Sequence, residues 1–192
     1  AGGSFETIAC DVSDYESVKQ ASRKIKKMGE PVSAVINAAG IASMNLAVTT
    51  DASTVDRVIQ TNLIGTIYCC QLLSPLLLRQ KAGVIINFST IAVALALKGE
   101  AVYVASKAGV EAFSRVFARE MADFNVRVNC IAPGPIKTDL LKGITETQVE
   151  SILSRQIIQK QFEADAVCDL VELLVDQKAA TLTGQVFHVG GV

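Results

Sequence analysis

A chain of 192 residues has room for one domain with a single buried core. Half of its residues are apolar, yet no uninterrupted apolar run approaches the ~18 residues that a membrane-spanning helix requires, which argues against a membrane protein. A net charge of −1 provides no basic surface for nucleic acid, and a single histidine argues against a histidine-based metal site.

The cysteines and the opening segment predict a cytoplasmic protein. The five cysteines form no C-x-x-C pair, and four of them lie in apolar stretches, so we expect reduced, buried thiols. The opening AGGSFETIACDVSD has no basic region followed by an apolar stretch, so we expect no secretory signal.

Short β-branched runs alternate with longer helical patterns along the chain. In chain order, the predicted strands are Phe5–Cys10, Val32–Asn37, Val84–Ser89, Val126–Ile131 and Gln185–Val189. The predicted helices are Tyr15–Met28, Ser53–Gln80, Ala101–Phe124 and Ala164–Val175, with Asp14 as the first N-cap and Asp51 or Ser53 as the second. This alternation predicts an α/β fold, a Rossmann-like, doubly wound parallel sheet in a single domain.

Small and polar residues follow four of the predicted strands. In parallel sheets, ligands bind beyond the carboxyl ends of the strands. This rule selects one rim of the sheet, formed by Asp11, Asn37–Gly40, Ser89 with Thr90, and Pro133–Pro135.

The stretch YVASK at 103–107 places a phenol and an ammonium group one helical turn apart. Tyr103 and Lys107 therefore share a helix face. A tyrosine has a reference pKa of about 10, and a neighbouring ammonium should lower it. Tyr103 would then serve as a general acid or base. The alternative is an ordinary amphipathic helix whose lysine reaches towards solvent.

Seven segments resemble, in order and spacing, the short-chain dehydrogenase/reductase family. They are CDVSD (10–14), INAAG (36–40), TNLIGT (61–66), INFST (86–90), YVASK (103–107), RVNCIAPGPIKTD (127–139) and LTGQVFHVGG (182–191). Within the family, the chain looks most like 3-oxoacyl-acyl-carrier-protein reductases. The resemblance implies an oxidoreductase that uses NADP or NAD, a choice that this chain does not reveal.

The resemblance also implies roles for individual residues. Tyr103 would donate a proton to the substrate carbonyl, while Lys107 would also hold the nicotinamide ribose. Asn62 would hold a water molecule in a proton relay to Lys107, unless it is a helix-interior asparagine bonded to nearby backbone. The implied cofactor-binding set is Tyr103, Lys107, Asp11, Val12, Asn37, Ala38, Ala39, Gly40, Pro133, Gly134, Ile136 and Thr138.

Two neighbouring hydroxyls compete for the role of orienting the substrate. The family's serine falls on Thr90, thirteen residues before Tyr103, and Ser89 lies next to it. We favour Thr90, because threonine supplies the same donor and acceptor as serine.

The sequence contains neither G-x-G-x-x-G nor T-G-x-x-x-G-I-G. In the family, this glycine turn holds the cofactor pyrophosphate through backbone N–H groups and a helix N-terminus. We therefore expect that the N-terminal βαβα portion is absent, that the chain is incomplete, and that it binds cofactor weakly by itself. The alternative function is a catalytically silent, reductase-like scaffold or assembly subunit.

Apolar positions predict the substrate and the oligomeric state. A lid at about 139–161 would suit an acyl thioester or another apolar small molecule, although helix packing explains the same lining of Leu140, Leu141, Ile144 and Ile152. The helices at 53–80 and 101–124 carry more apolar positions than one sheet face needs, so we expect them to pair in a homodimer or homotetramer. These positions are Ile64, Ile67, Leu72, Leu76, Val110, Phe113, Val116 and Phe117.

Overall fold

A parallel four-stranded sheet organises the part of the chain that the structure describes. The computed structural model describes residues 5–137 and 145–192. The strands, which pair in chain order, are β1 Ala34–Asn37, β2 Gly83–Phe88, β3 Val126–Pro133 and β4 Val186–Val189. The helices are α1 Tyr15–Met28, α2 Ala52–Ile59, α3 Gly65–Leu78, α4 Ala92–Leu95, α5 Ala101–Ala122, α6 Glu146–Leu153 and α7 Ala164–Val175. The predicted α/β fold is confirmed.

Two apolar layers attach the helices to opposite faces of the sheet. On one face, Leu77 of α3 and Phe117 of α5 share a buried cluster with Ile85. On the other face, Leu174 of α7 packs in a cluster that contains Val84. Because successive side chains of a strand point to opposite faces, β2 is apolar on both sides.

Local capping sets the starts of the first two long helices. The Asp14 carboxylate accepts a hydrogen bond from the Glu16 backbone N–H at 3.0 Å. Asp51, rather than Ser53, caps α2, since its carboxylate accepts from the Thr54 backbone N–H at 2.8 Å.

The predicted helix Ser53–Gln80 is a continuous helix from 52 to 78 with a π turn at Gln60–Ile64 between α2 and α3. Its length and composition would also allow it to cross a membrane, but core helices of soluble proteins meet the same criteria. Cys70 and Leu77 of this helix are completely buried in the core cluster against the sheet.

The predicted strand Phe5–Cys10 is wrong. These residues have no regular secondary structure, and Phe5 is exposed. A strand needs a neighbour that completes its hydrogen-bond ladder, and no strand within the described residues pairs with this segment. The other four predicted strands exist with shifted ends, and β3 continues to Pro133. Helices α4 and α6 were not predicted.

Strand β1 forms one edge of the described sheet. Ile36 is 46% exposed there. A groove of about 320 Å³ runs beside the strand, and we call it the edge groove. Its lining includes Val12, Ile25, Val32, Ile36, Ala38, Ala39, Leu73 and Leu76.

Candidate active site

The N-terminal half of α5 presents polar side chains to the ends of the strands. Its buried stripe includes the polar residues Tyr103, Ser106, Lys107, Glu111 and Ser114, and it ends with the apolar residues Phe117, Ala118 and Met121. This three- and four-residue spacing keeps the stripe on one helix face. Tyr103 and Lys107 therefore share a face, as their spacing predicts.

Tyr103 is buried and keeps its proton strongly. Burial raises the pKa of the Tyr103 phenol to about 12; the Glu100 carboxylate adds to this, and a side-chain hydrogen bond from Thr90 opposes it. The prediction that Lys107 lowers this pKa is wrong, because the loss of solvent outweighs other influences and the lysine makes its bond elsewhere.

Lys107 reaches the end of β2. Its Nζ donates to the Phe88 carbonyl at 2.9 Å. Burial lowers the pKa of Lys107 to about 8, because the interior disfavours an ammonium ion, and Cys130 partly opposes this shift.

Asn62 joins the π turn to the loop that follows β1. Its Oδ1 accepts from the Ile41 N–H at 2.8 Å, while its Nδ2 donates to the Ile41 carbonyl at 2.9 Å and to Ser106 Oγ at 3.1 Å. A Cβ on Gly40 would lie 3.2 Å from Lys107 Nζ and 3.3 Å from Asn62 Oδ1. Because glycine has no Cβ, the loop backbone can pack closely against both Asn62 and Lys107 at this position.

Ser89 and Thr90 point to different partners. The Ser89 hydroxyl donates to Glu111 Oε1 at 2.6 Å, and both residues are buried. Thr90 is hydrogen-bonded to Tyr103, and its Oγ1 accepts from the Ala92 N–H at 3.2 Å. Of the two hydroxyls, the one on Thr90 therefore contacts the phenol.

Three residues of the implied cofactor set make other contacts. The Asp11 carboxylate accepts from the backbone N–H and the hydroxyl of Ser13, so it forms an Asx turn, and these bonds lower the pKa of Asp11. Val12 packs against Gly65. Asn37 donates to Asn87 Oδ1 at 2.8 Å, so its amide lies between β1 and β2. Ala38 and Ala39 are exposed beside the edge groove.

The segment after β3 is tied to residues that follow α6. The Pro133 carbonyl accepts from the Ile91 N–H at 3.0 Å, and Gly134 packs against the amide of Gln156. Ile136 forms a parallel bridge with Phe162. Thr138 and most of the predicted lid lining, namely Leu140, Leu141 and Ile144, lie outside the described residues; Ile152 is half-buried in α6.

Sequence reasoning missed three polar residues around this site. Ser106 accepts from Asn62, Glu100 acts on the Tyr103 pKa, and Glu111 accepts from Ser89. A signal existed for Glu111, since it follows Lys107 by one further turn on the same helix face.

Comparison with known proteins gives a consistent result. The family model described as enoyl-(acyl carrier protein) reductase matches residues 1–191. The 3-oxoacyl-[acyl-carrier-protein] reductase FabG of Staphylococcus epidermidis is 36% identical over 185 residues, or 96% of this chain and 75% of that protein. The protein of the same name from Thermotoga maritima is 30% identical over 189 residues, or 98% and 77% of the two chains.

Solved structures share the fold. The crystal structure of gox2181 has a TM-score of 0.88 and 28% identity, and the match covers 94% of this chain and 72% of that one. A putative gluconate dehydrogenase from Agrobacterium tumefaciens has a TM-score of 0.91 and 23% identity, covering 97% and 74% of the two chains.

Proposed function

Because the chain belongs to the short-chain dehydrogenase/reductase family, we propose that it transfers a hydride between NADPH or NADH and a carbonyl compound. The observation that carries this proposal is the meeting of Tyr103, Lys107 and Thr90 at the end of β2. These side chains provide a buried acid, a buried cation and a half-buried hydroxyl within one cluster.

The residues at the rim fit the nicotinamide half of such a cofactor. Lys107 has three donors, and the Phe88 carbonyl takes one of them, which leaves donors for ribose hydroxyls. Gly40, Pro133 and Gly134 would offer backbone with little side-chain bulk beside the ring. For the pyrophosphate, the 192 residues contain no glycine turn, so we propose that this chain alone binds the cofactor weakly.

Each residue of the cluster has a definite task in the proposed reaction. The bound nicotinamide supplies the hydride. Thr90 donates a hydrogen bond that orients the substrate carbonyl. Tyr103, with its pKa raised to about 12, is protonated at neutral pH and donates its proton to the oxyanion as it develops. Asn62 lies beside Lys107 and would hold the water that returns a proton towards it.

We propose a 3-oxoacyl thioester as the substrate. The two curated relatives compared above are named 3-oxoacyl-[acyl-carrier-protein] reductases. Ile157 and Ile158 are exposed apolar residues next to the end of β4, where the Ile158 N–H donates to the Gly190 carbonyl at 2.9 Å. An acyl chain would cover such side chains. The five cysteines are free thiols, which supports a cytoplasmic location.

The outer faces of α3 and α5 are proposed to pair two copies of the chain. Val116 on α5 is 57% exposed, and Ile67 and Leu72 on α3 are half-buried. Val110 and Phe117 were also predicted to take part in this pairing, but both side chains are buried in the core of the chain. The proposed pairing surface is therefore smaller than the apolar pattern suggests.

The decisive experiment replaces the phenol. Tyr103→Phe is expected to lower kcat for acetoacetyl-CoA reduction on the order of a thousandfold, because the acid is lost. Tyr68→Phe is the matched control; that ring lies in an edge-to-face pair with Tyr15. Equal turnover in both variants and in the unmodified protein would contradict the mechanism.

The second candidate function is a scaffold that performs no catalysis, favoured by Thr90, which stands where the family's serine falls. Titration with NADPH, followed by nicotinamide fluorescence, separates the two candidates. A reductase gives a saturable signal, even at weak affinity, while a scaffold without a cofactor site gives none.

A further inference from the structure

Three successive turns of α5 contact three successive residues at the end of β2. Tyr103 is hydrogen-bonded to Thr90, Lys107 donates to the Phe88 carbonyl, and Glu111 accepts from Ser89. The helix residues are spaced four apart, so one face of α5 holds the whole segment 88–90. The first two contacts belong to the proposed catalytic cluster, and the third has no role in it.

The bond between Ser89 and Glu111 is short and sheltered from solvent. The hydroxyl donates to Glu111 Oε1 at 2.6 Å, and Ser89 and Glu111 are 4% and 7% exposed. A hydroxyl-to-carboxylate bond of this length is typical of a charge-assisted bond. Burying a carboxylate destabilises a folded protein unless the carboxylate accepts such bonds. Helix packing alone therefore does not explain a glutamate at position 111.

Ser89 is held from two directions. Its N–H donates to the Ile131 carbonyl of β3 at 2.8 Å, while its side chain is bound to α5. Phe88 and Thr90 are joined to Ser89 by planar peptide units, so a movement of Ser89 changes the position of both. The Phe88 carbonyl and the Thr90 hydroxyl are the groups that contact Lys107 and Tyr103.

We propose that Glu111 is a positioning residue, which acts through Ser89 to hold the Phe88 carbonyl against Lys107 and the Thr90 hydroxyl against Tyr103. A carboxylate only accepts hydrogen bonds, so it also keeps the Ser89 hydroxyl directed inwards. The Thr90 hydroxyl is thereby the one presented to the substrate. The expected effect on kcat rests on the proposed function. The expected effect on the Lys107 pKa does not, since it is measured without cofactor or substrate.

The structural test follows the Lys107 side chain by carbon-13 NMR in lysine-labelled protein without cofactor. Near Lys107 lie Cys130 of β3, whose thiol stays protonated because burial raises its pKa to about 11, and, on α5, Glu111 one turn further along the helix. Ser89→Ala removes the bond and leaves both groups in place. We expect its Lys107 pKa to fall further below about 8, because the displaced Phe88 carbonyl stabilises the ammonium less.

A double-mutant comparison shows whether Glu111 acts through Ser89. The Lys107 pKa of Glu111→Ala with Ser89→Ala should equal that of Glu111→Ala alone, since the bond can be lost only once. Glu120→Ala, which removes an exposed carboxylate from the same helix, should leave the Lys107 pKa unchanged. An unchanged Lys107 pKa in Ser89→Ala, or additive effects in the double variant, would overturn the proposal.

The kinetic test compares two substitutions of Glu111. Glu111→Ala is expected to lower kcat by about tenfold to a hundredfold, because a misplacement of about 1 Å has effects of that size. Glu111→Gln retains an oxygen acceptor for Ser89 and should recover most of kcat; equal losses in both variants would contradict the proposal. If the unmodified protein has no activity, the proposed function fails, while the NMR comparison still decides the role of Glu111.

Discussion

Lys107 brings a positive charge into the interior of the protein. It is 5% exposed, and its bond to the Phe88 carbonyl replaces only part of the lost hydration. Its pKa is therefore lowered from 10.5 to about 8. The folded protein gives up this proton at a lower pH than the unfolded chain does, so the ammonium form opposes folding.

Lys107→Met should accordingly be more stable than the unmodified protein at pH 7. The pKa difference from 10.5 to about 8 corresponds to about 3 kcal/mol in the free energy of unfolding. Between these two pH values, the unfolded chain binds more protons, so the stability of the unmodified protein rises with pH. The advantage of Lys107→Met is thus complete below pH 8 and shrinks towards pH 10.5.

Urea unfolding at a series of pH values measures this effect. Lys24→Met, on the exposed side of α1, serves as the control and should keep a constant difference from the unmodified protein. A constant difference for Lys107→Met as well would show that its ammonium is not destabilised by burial.

At the level of secondary-structure elements, the π turn between α2 and α3 connects the rim to the helix layer. Gln60–Ile64 interrupts the regular α-helical bonds, and the completely buried Asn62 lies inside it. Its amide bonds both backbone groups of Ile41, a residue far away in sequence. Helical segments of this type are frequent at functional sites, where they redirect a side chain.

Asn62→Ala should destabilise the protein by roughly 1–3 kcal/mol, because it leaves the Ile41 N–H and carbonyl without their partner. Thermal and urea unfolding measure the change. Asn45→Ala is the control: this asparagine is exposed, and its amide donates weakly to Ser43 Oγ at 3.4 Å, so we expect a change within about 0.5 kcal/mol. Similar losses in both variants would argue against the connecting role of Asn62.

At the level of the whole molecule, two apolar surfaces could bring copies of the chain together. One is the edge of the sheet at β1, where Ile36 is exposed beside the edge groove. The other is the outer face of α3 and α5, where Val116 is exposed. An open strand edge promotes irregular aggregation, whereas a helix face can form a symmetric dimer.

Two matched substitutions distinguish these surfaces. Val116→Lys should convert the proposed dimer or tetramer to monomer at micromolar concentration, because it places a charge on the apolar face that is proposed to pair. Ile36→Lys should leave the oligomer intact and reduce slow aggregation, since a lysine on an edge strand blocks further pairing. Light scattering measures both, and a monomeric unmodified protein would disprove the proposed pairing.

The order of elements follows from local patterns in the chain. The bounds of α1 and α7 were predicted to the residue, because apolar spacing and capping residues such as Asp14 act within one or two helical turns. Tyr103 and Lys107 share a face for the same reason, since four residues make about one turn. The β-branched runs at 84–89 and 126–131 likewise predicted β2 and β3.

Only the tertiary structure decided what these residues contact. Phe5–Cys10 has the composition of a strand but no described partner, and strand formation requires one. The Ser89 hydroxyl turns to Glu111, Asn62 binds Ile41, and burial moves the Tyr103 pKa upwards instead of downwards. Hydrogen-bond partners and solvent exclusion depend on groups that are distant in the chain, so local spacing determined the elements while packing determined their chemistry.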